Sequence, residues 1–389
     1  MNQPSVILKK GKGRAIKNRH HWIFSGAVES MPSFENGGVL PVRSAEGEFL
    51  GYAYFNTNSS IVGRMLSFDE TPPDKAIEES IDSALTLRRV FFNESTNAYR
   101  LINAEGDRLP GLIVDRYDDV LVIQVATLGM EKLKRFVIEI LLKKFSPRTI
   151  YEKSILPSRR EDGLGDLEGL IWGEPAETVE IMEHGLRFLV EIPGSQKTGF
   201  FLDQREMRRF VGWLAEGRKV LNAFSYTGAF SVYARRAGAV LVDSVDTSER
   251  AIELAKKNLR LNGFDAGQDR FYVQDVFDYL RGETPAYDFI ILDPPAFAKK
   301  KADVIQACRG YKDINRLAIK QAAPGSFLLT FSCSFFVAED LFQKVIFEAA
   351  REASRRVRIM QRHHQAFDHP VNIFHPESAY LKGFLLYID

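Results

Sequence analysis

Two stretches of this chain are apolar enough to be strands buried on both faces, and each ends in residues able to do chemistry. One reads Leu-Leu-Thr-Phe-Ser-Cys-Ser-Phe-Phe over 328–336; the other, Phe289-Ile290-Ile291-Leu292, runs into Asp293-Pro294-Pro295. Both lie beyond about residue 206, where short apolar runs alternate with segments of helical period. That rhythm predicts a parallel α/β domain. Strands are expected at 219–223, 239–245, 270–273, 287–292, 326–331, 357–361 and 381–388. Helices are expected at 229–236, 248–262, 276–281, 311–322 and 338–354.

The chain before this point has a different texture. Residues 1–70 read as a β-rich module, with strands at 5–9, 38–43, 49–55 and 61–68 broken by Gly-Gly, Glu-Gly and Asn-Thr-Asn turns. A linker containing Thr71-Pro72-Pro73 leads into 75–185, a central α+β segment. It carries a helix at 75–93, a strand at 101–103 and a hairpin of 112–117 with 120–126. A further helix at 130–144 and a strand at 149–152 complete it. Residues 161–177 are rich in glycine and acid, and 186–192 reads as a strand opening the third part, 186–389.

Charge and composition narrow the function classes. With 52 basic and 51 acidic side chains, no global charge marks a nucleic-acid binder, so partners must be sought in local patches. One such patch is Lys9, Lys10, Lys12, Arg14, Lys17 and Arg19, which precede the first acidic residue and are followed by His20-His21-Trp22. It suits a phosphate-and-base surface as well as it suits a solvated arm. The two cysteines, Cys308 and Cys333, fit a reducing compartment and lack the ligand spacing of a zinc site, so no metal is expected. No apolar leader and no uncharged span of ~20 residues is visible, which predicts a soluble cytoplasmic protein without a membrane partner. A homodimer is compatible with the sequence, which fixes no oligomeric state.

In open α/β sheets, ligands collect at the carboxyl ends of the strands. After the first strand comes Asn-Ala-Phe-Ser-Tyr-Thr-Gly-Ala-Phe over 222–230, whose Phe224, Tyr226 and Gly228 are candidate cofactor contacts. One glycine allows close backbone approach, but this is not the GxGxxG of a pyrophosphate site. The second strand ends at Asp246, suited to a ribose diol, and Asp275 follows the third, suited to an adenine amino group. The order favours S-adenosylmethionine over a dinucleotide, although acids in such places often cap helices instead. Asp293 adjoins the same crevice as both a cofactor and a catalytic candidate.

The carbonyls of Pro294 and Pro295 can accept hydrogen bonds from a nucleobase amino group, as they would in an adenine N-methyltransferase needing no nucleophile. Cys333 shifts the choice towards carbon 5 of a pyrimidine. That carbon is too weak a nucleophile to take a methyl group until a thiolate adds at carbon 6. The thiol then needs a positive neighbour or a helix start to lower its pKa.

Several segments together resemble one family, the bacterial 23S ribosomal RNA 5-methylcytosine methyltransferases with an N-terminal PUA domain. They are FSYTGAF (224–230), SVDTS (244–248), DPPAF (293–297), ACRGYKDIN (307–315), TFSCS (330–334), YLKGF (380–384) and, upstream, KTGFFLDQR (197–205). The resemblance implies a PUA module at 1–70, a central domain at 75–185 and a Rossmann-like seven-stranded methyltransferase domain at 186–389. It implies methylation of a cytosine in 23S rRNA or a large-subunit assembly intermediate. Cys333 then looks like the nucleophile, Asp246 the ribose contact, Asp275 the adenine contact and Asp293 the catalytic-loop acid. Wider relatives often carry a second cysteine after the loop proline. Here Ala296 follows Pro295, so product release must use another group.

Lys299, Lys300 and Lys301 follow the DPPAF loop, with Arg309 and Lys312 beyond; this basic rim can hold phosphates flanking a flipped nucleotide. Tyr311 suits base stacking and scaffold packing equally. Cys308, His363 and His364 read mainly as packing or surface residues. A non-catalytic RNA-binding protein of ribosome assembly remains the competing function of a different class.

Overall fold

The computed structural model describes residues 4–264, 267, 269–282 and 285–389. The chain divides into two compact units. The first comprises Met1–Met182, Val190–Leu202 and Phe367–Ser378; the second comprises Glu183–Leu189, Asp203–Ala366 and Ala379–Asp389.

The first unit holds two sheets. Strands Val6–Leu8, Trp22–Ile23, Val28–Ser30, Val39–Arg43, Phe49–Phe55 and Gly63–Ser67 form a six-stranded, mostly antiparallel sheet around Val6, Leu8, Val42, Phe55 and Met65. The two- and three-residue strands are too short to carry a period, and the sequence pattern missed 22–23 and 28–30. Between Val6–Leu8 and Trp22–Ile23, the basic cluster includes a single helical turn, Arg14–Lys17.

The second sheet, of five strands, runs Leu167–Gly173, Thr149–Ser154, Val120–Val125, Leu112–Tyr117, Ala98–Asn103. Helix Pro73–Phe91 begins on prolines whose missing N–H is free of cost in a first turn, and buries Ile77, Ile81 and Leu85. Strand Ala98–Asn103 is longer than expected because Arg100 is buried in it, bonded through Nε and Nη2 to Asp115 at 2.7 and 2.9 Å. Leu167–Gly173 replaces the expected irregular stretch; it is an edge strand, largely exposed, so its apolar residues show no clean alternation.

The second unit is built on seven strands. Their spatial order is Arg270–Val273, Leu241–Asp246, Lys219–Ala223, Tyr287–Leu292, Ala322–Ser332, Lys382–Ile388, Val357–His363. The first five run parallel, and Lys382–Ile388 lies antiparallel to both neighbours. Leu221, Ile290, Leu328 and Leu386 are fully buried, which explains runs without polar alternation. Helix Val304–Gln321 begins a full two turns before the expected 311, after a short turn at Lys301–Asp303. Helix Arg205–Leu214 was not expected at all, because its buried face is partly made of Arg205 and Arg208. Among the described residues, no helix is long and apolar enough to cross a membrane.

Candidate functional site

All five parallel strands of the second unit deliver their carboxyl ends to one edge of the sheet, where the candidate residues of the second unit's loops gather. The first loop is strained. Phe224 and Tyr226 both have left-handed backbone, with φ of 61° and 45°, a conformation side-chain-bearing residues rarely adopt. Main-chain bonds hold it: Ser225 N–H donates to Val245 O at 3.0 Å and Gly228 N–H to Ser225 O at 2.9 Å. Asn258 Nδ2 donates to Thr227 O at 2.9 Å. Gly228 has φ of 75°, and a Cβ there would come within 2.6 Å of the Ala255 Cβ. Its lack of a side chain therefore serves the turn and the packing of helix Glu249–Leu261.

Asp246, half-buried at the end of the second strand, accepts from Tyr226 N–H and Ser248 N–H, both at 2.9 Å. Asp275 is exposed and its Oδ1 caps helix Val276–Arg281, accepting from Phe277 N–H at 2.8 Å and Asp278 N–H at 3.1 Å. A carboxylate has about four lone-pair sites, so each acid retains acceptor capacity beyond these bonds. A kinked, close-approach loop followed by two such acceptors fits a ribose and an amino-purine.

The fourth and fifth loops are fastened to each other. Cys333 Sγ, half-buried, lies 3.7 Å from Pro294 O as a donor. Ser334 Oγ accepts from Ala298 N–H at 3.0 Å and is 2.9 Å from Tyr311 Oη. Tyr311 is fully buried between Phe297 and Phe342, so it is scaffold and offers no face to a base. Asp293 is oriented by Gln204, whose Nε2 donates to Oδ1 at 2.9 Å. Pattern alone did not single out Gln204 or Ser334. The first lies in the KTGFFLDQR segment and the second directly follows Cys333, which are the signals that could have found them.

The basic candidates differ in availability. Lys299, Lys300, Lys301 and Arg309 are exposed on or beyond the 293–297 loop, whereas Lys312 is ion-paired with Glu352 at 2.7 Å. Pro295 is exposed beside buried Pro294. Cys308 packs against the core, and burial raises its thiol pKa. His363 is buried against Phe210, and burial pushes it down to about 4, leaving it neutral. His364 is exposed beside Glu339.

In the first unit, Lys9, Lys10, Lys12 and Arg14 are exposed, while Lys17 is paired with Glu48. Trp22 is no open stacking platform: its Nε1–H donates to Glu105 at 2.8 Å and its ring packs on His375, 4.5 Å between centroids. His20, His375 and Glu377 stand close enough to suggest a metal. However, His20 Nδ1 accepts from Trp22 N–H at 3.2 Å, which puts the ring proton on Nε2, facing Glu377 at 3.4 Å. The group reads as a histidine–carboxylate hydrogen bond.

A model described as S-adenosylmethionine-dependent methyltransferase matches residues 160–384, and one described as PUA-like domain matches residues 6–68. The chain is 40% identical to the ribosomal RNA large subunit methyltransferase I of Shewanella denitrificans, over 97% of this chain and 98% of that one. It is 41% identical to the Vibrio cholerae protein of the same name, over 98% of each.

The chain belongs to the ribosomal RNA large subunit methyltransferase I family.

Membership of this family makes S-adenosylmethionine the cofactor. The fold is accordingly an N-terminal PUA-like β domain with a C-terminal Rossmann-like methyltransferase domain. Solved relatives agree along the whole family chain. A Streptococcus mutans protein described as a SAM-dependent methyltransferase superposes with a TM-score of 0.84 at 25% identity, covering 99% of this chain and all of that one. A methyltransferase structure complexed with SAH gives 0.86 at the same identity and coverage.

Proposed function

We propose that this protein transfers a methyl group to carbon 5 of a cytosine in 23S rRNA, through a covalent bond from Cys333 to carbon 6. The observation that carries the reading is the 3.7 Å approach of Cys333 Sγ to Pro294 O. It brings a nucleophile and a base-reading carbonyl together across two adjacent strand ends. An N-methyltransferase would need the carbonyl and not the thiol.

In this reading the 224–228 loop, Asp246 and Asp275 hold the cofactor, which supplies an electrophilic methyl group on a sulfonium. Pro294 O and Asp293 hold the base edge, Asp293 being aimed by Gln204. Cys333 thiolate adds to carbon 6, and the ring electrons move to carbon 5, which takes the methyl group. Loss of the carbon 5 proton to a base then re-forms the ring double bond and expels the thiolate. Lys299 and Arg309 contact the flanking phosphates, with Lys312 contributing only if Glu352 releases it. Lys9, Lys10, Lys12 and Arg14 hold RNA outside the catalytic loop.

The functional division follows 1–70 for RNA docking, 75–185 as a central body and 186–389 for cofactor and catalysis. The relatives are named for ribosomal RNA of the large subunit, which supports that RNA or an assembly intermediate as partner. The reading places the protein in the cytoplasm, calls for no metal, and is compatible with a homodimer. Mass spectrometry of 23S rRNA nucleosides from a strain lacking the gene tests it. One 5-methylcytosine should vanish and return on complementation; an unchanged 5-methylcytosine content with a missing N-methylated base would overturn it.

A further inference from the structure

Lys382 is a buried cation that the chemistry above does not use. It lies opposite Ser332 in the antiparallel pairing of Lys382–Ile388 with Ala322–Ser332, next to the loop bearing Cys333. Its Nζ donates to Ser334 O and to Tyr380 O, both at 2.7 Å. Tyr380 is in turn held by its hydroxyl, which donates to Asp203 Oδ2 at 2.7 Å. An ammonium has three N–H donors, so two of them are committed, one to the loop bearing the nucleophile and one to the segment leading into its own strand. The charge is thereby fixed in place rather than carried on a mobile stem.

Lys382 brings a positive charge to the residue next to a thiol that must ionise, and the other groups described around it are neutral or acidic. Tyr311 is neutral, its hydroxyl raised by burial and bonded to Ser334. Asp293 is an acid, and His363 is neutral. The next helix, Glu339–Glu352, opens with Glu339 and Asp340, which offset its positive end. Glu339 is ion-paired with Arg362 and stands 3.8 Å from His364. Burial pushes the Lys382 ammonium down to about 8, opposed by Cys333 and Glu339. That coupling is reciprocal: a thiolate that favours the ammonium is favoured by it.

We propose that Lys382 is the positioning residue that fixes the Cys333 loop and stabilises the Cys333 thiolate. The idea rests on the covalent reading above. The thiol releases its proton to solvent before attack, and Lys382 stays an ammonium throughout.

The test is the pH dependence of Cys333 alkylation by iodoacetamide, in full-length protein carrying Cys308→Ser so that one thiol reports. The native midpoint should fall below the ~8.5 of a free cysteine. Lys382→Gln keeps an N–H donor for the carbonyls and loses the charge, so its midpoint should rise by about one to three pH units. Lys382→Arg should restore most of the difference. Cofactor affinity checks the fold of each variant. A Lys382→Gln profile that overlays the native one overturns the proposal. So does a native midpoint at or above ~8.5, which needs no variant to fold. No RNA is present, so failure of this proposal leaves cytosine methylation standing, and failure of cytosine methylation leaves the titration readable.

Discussion

Asp246 Oδ2 accepts the backbone N–H of Tyr226 at 2.9 Å, so the carboxylate at the end of one strand anchors the left-handed turn that follows another. The second oxygen accepts from Ser248 N–H, also at 2.9 Å. Two main-chain donors therefore fix the plane of this acid before any ligand arrives. The free lone pairs are pre-oriented, which reduces the ordering cost of binding.

Asp246→Ala should accordingly weaken S-adenosylmethionine binding by about 1–3 kcal/mol, the range for lost charge-assisted hydrogen bonds. Calorimetry on the folded variant measures it. Unchanged affinity would remove Asp246 from the ribose site.

RNA affinity should lose salt dependence when Lys9, Lys10, Lys12 and Arg14 are neutralised together, because fewer counterions are released. Each lost phosphate contact lowers the slope of log K against log salt by roughly 0.7–0.9. The full chain is required, since Val190–Leu202 and Phe367–Ser378 belong to the same compact unit as this cluster. An unchanged slope would make the cluster a solvated arm.

The parallel strands were legible because burial on both faces leaves nearly continuous apolar runs, as at Phe289–Leu292 and, interrupted by Thr330, Leu328–Phe331. Asp246, Asp275, Asp293 and Cys333 could be placed at the carboxyl edge of the sheet because each follows the end of a strand-like run. What stayed hidden is what depends on partners distant in sequence. Arg100, Arg205 and Arg208 break the apolar pattern of elements they help to bury, since their charges are matched by Asp115 and Glu183. Gln204 and Lys382 acquire meaning only once the fold brings Asp293 and Ser334 to them. Trp22 misled for the same reason: an aromatic beside basic residues gives no hint that Glu105 and His375 already occupy it.

Arg88 is buried in the first unit, donating from Nη1 and Nη2 to Asp107 at 2.6 and 2.7 Å, from Nε to Arg100 O and from Nη2 to Asp368 O, the last two at 2.8 Å. Arg88→Ala strands the Asp107 charge and should cost about 3–5 kcal/mol of stability. Urea denaturation checks this. A loss under 1 kcal/mol would mean that water replaces the guanidinium.

Acid stability should depend on Glu183. Burial alone would raise its pKa, but Arg208, bonded to both oxygens at 2.6 Å, and Arg205 outweigh burial and hold the carboxyl below the usual range. A depressed folded value contributes stability that is complete above the ~4.3 of an unfolded glutamate and is lost as pH falls through the folded value. Glu183→Gln should therefore be less stable at pH 7 and show a shallower decline in acid, followed by thermal melts across pH. Parallel acid limbs for the two proteins would exclude this ion pair as the cause.

Attack of Cys333 on the base is tested most directly by methyl transfer to unmethylated 23S rRNA by Cys333→Ala. Removing the thiol would take away the group proposed to meet the base and leave Asp246 and the 224–228 loop in place. The variant should bind S-adenosylmethionine with near-native affinity and transfer no methyl group to cytosine. Substantial 5-methylcytosine formation by the alanine variant would contradict the covalent mechanism.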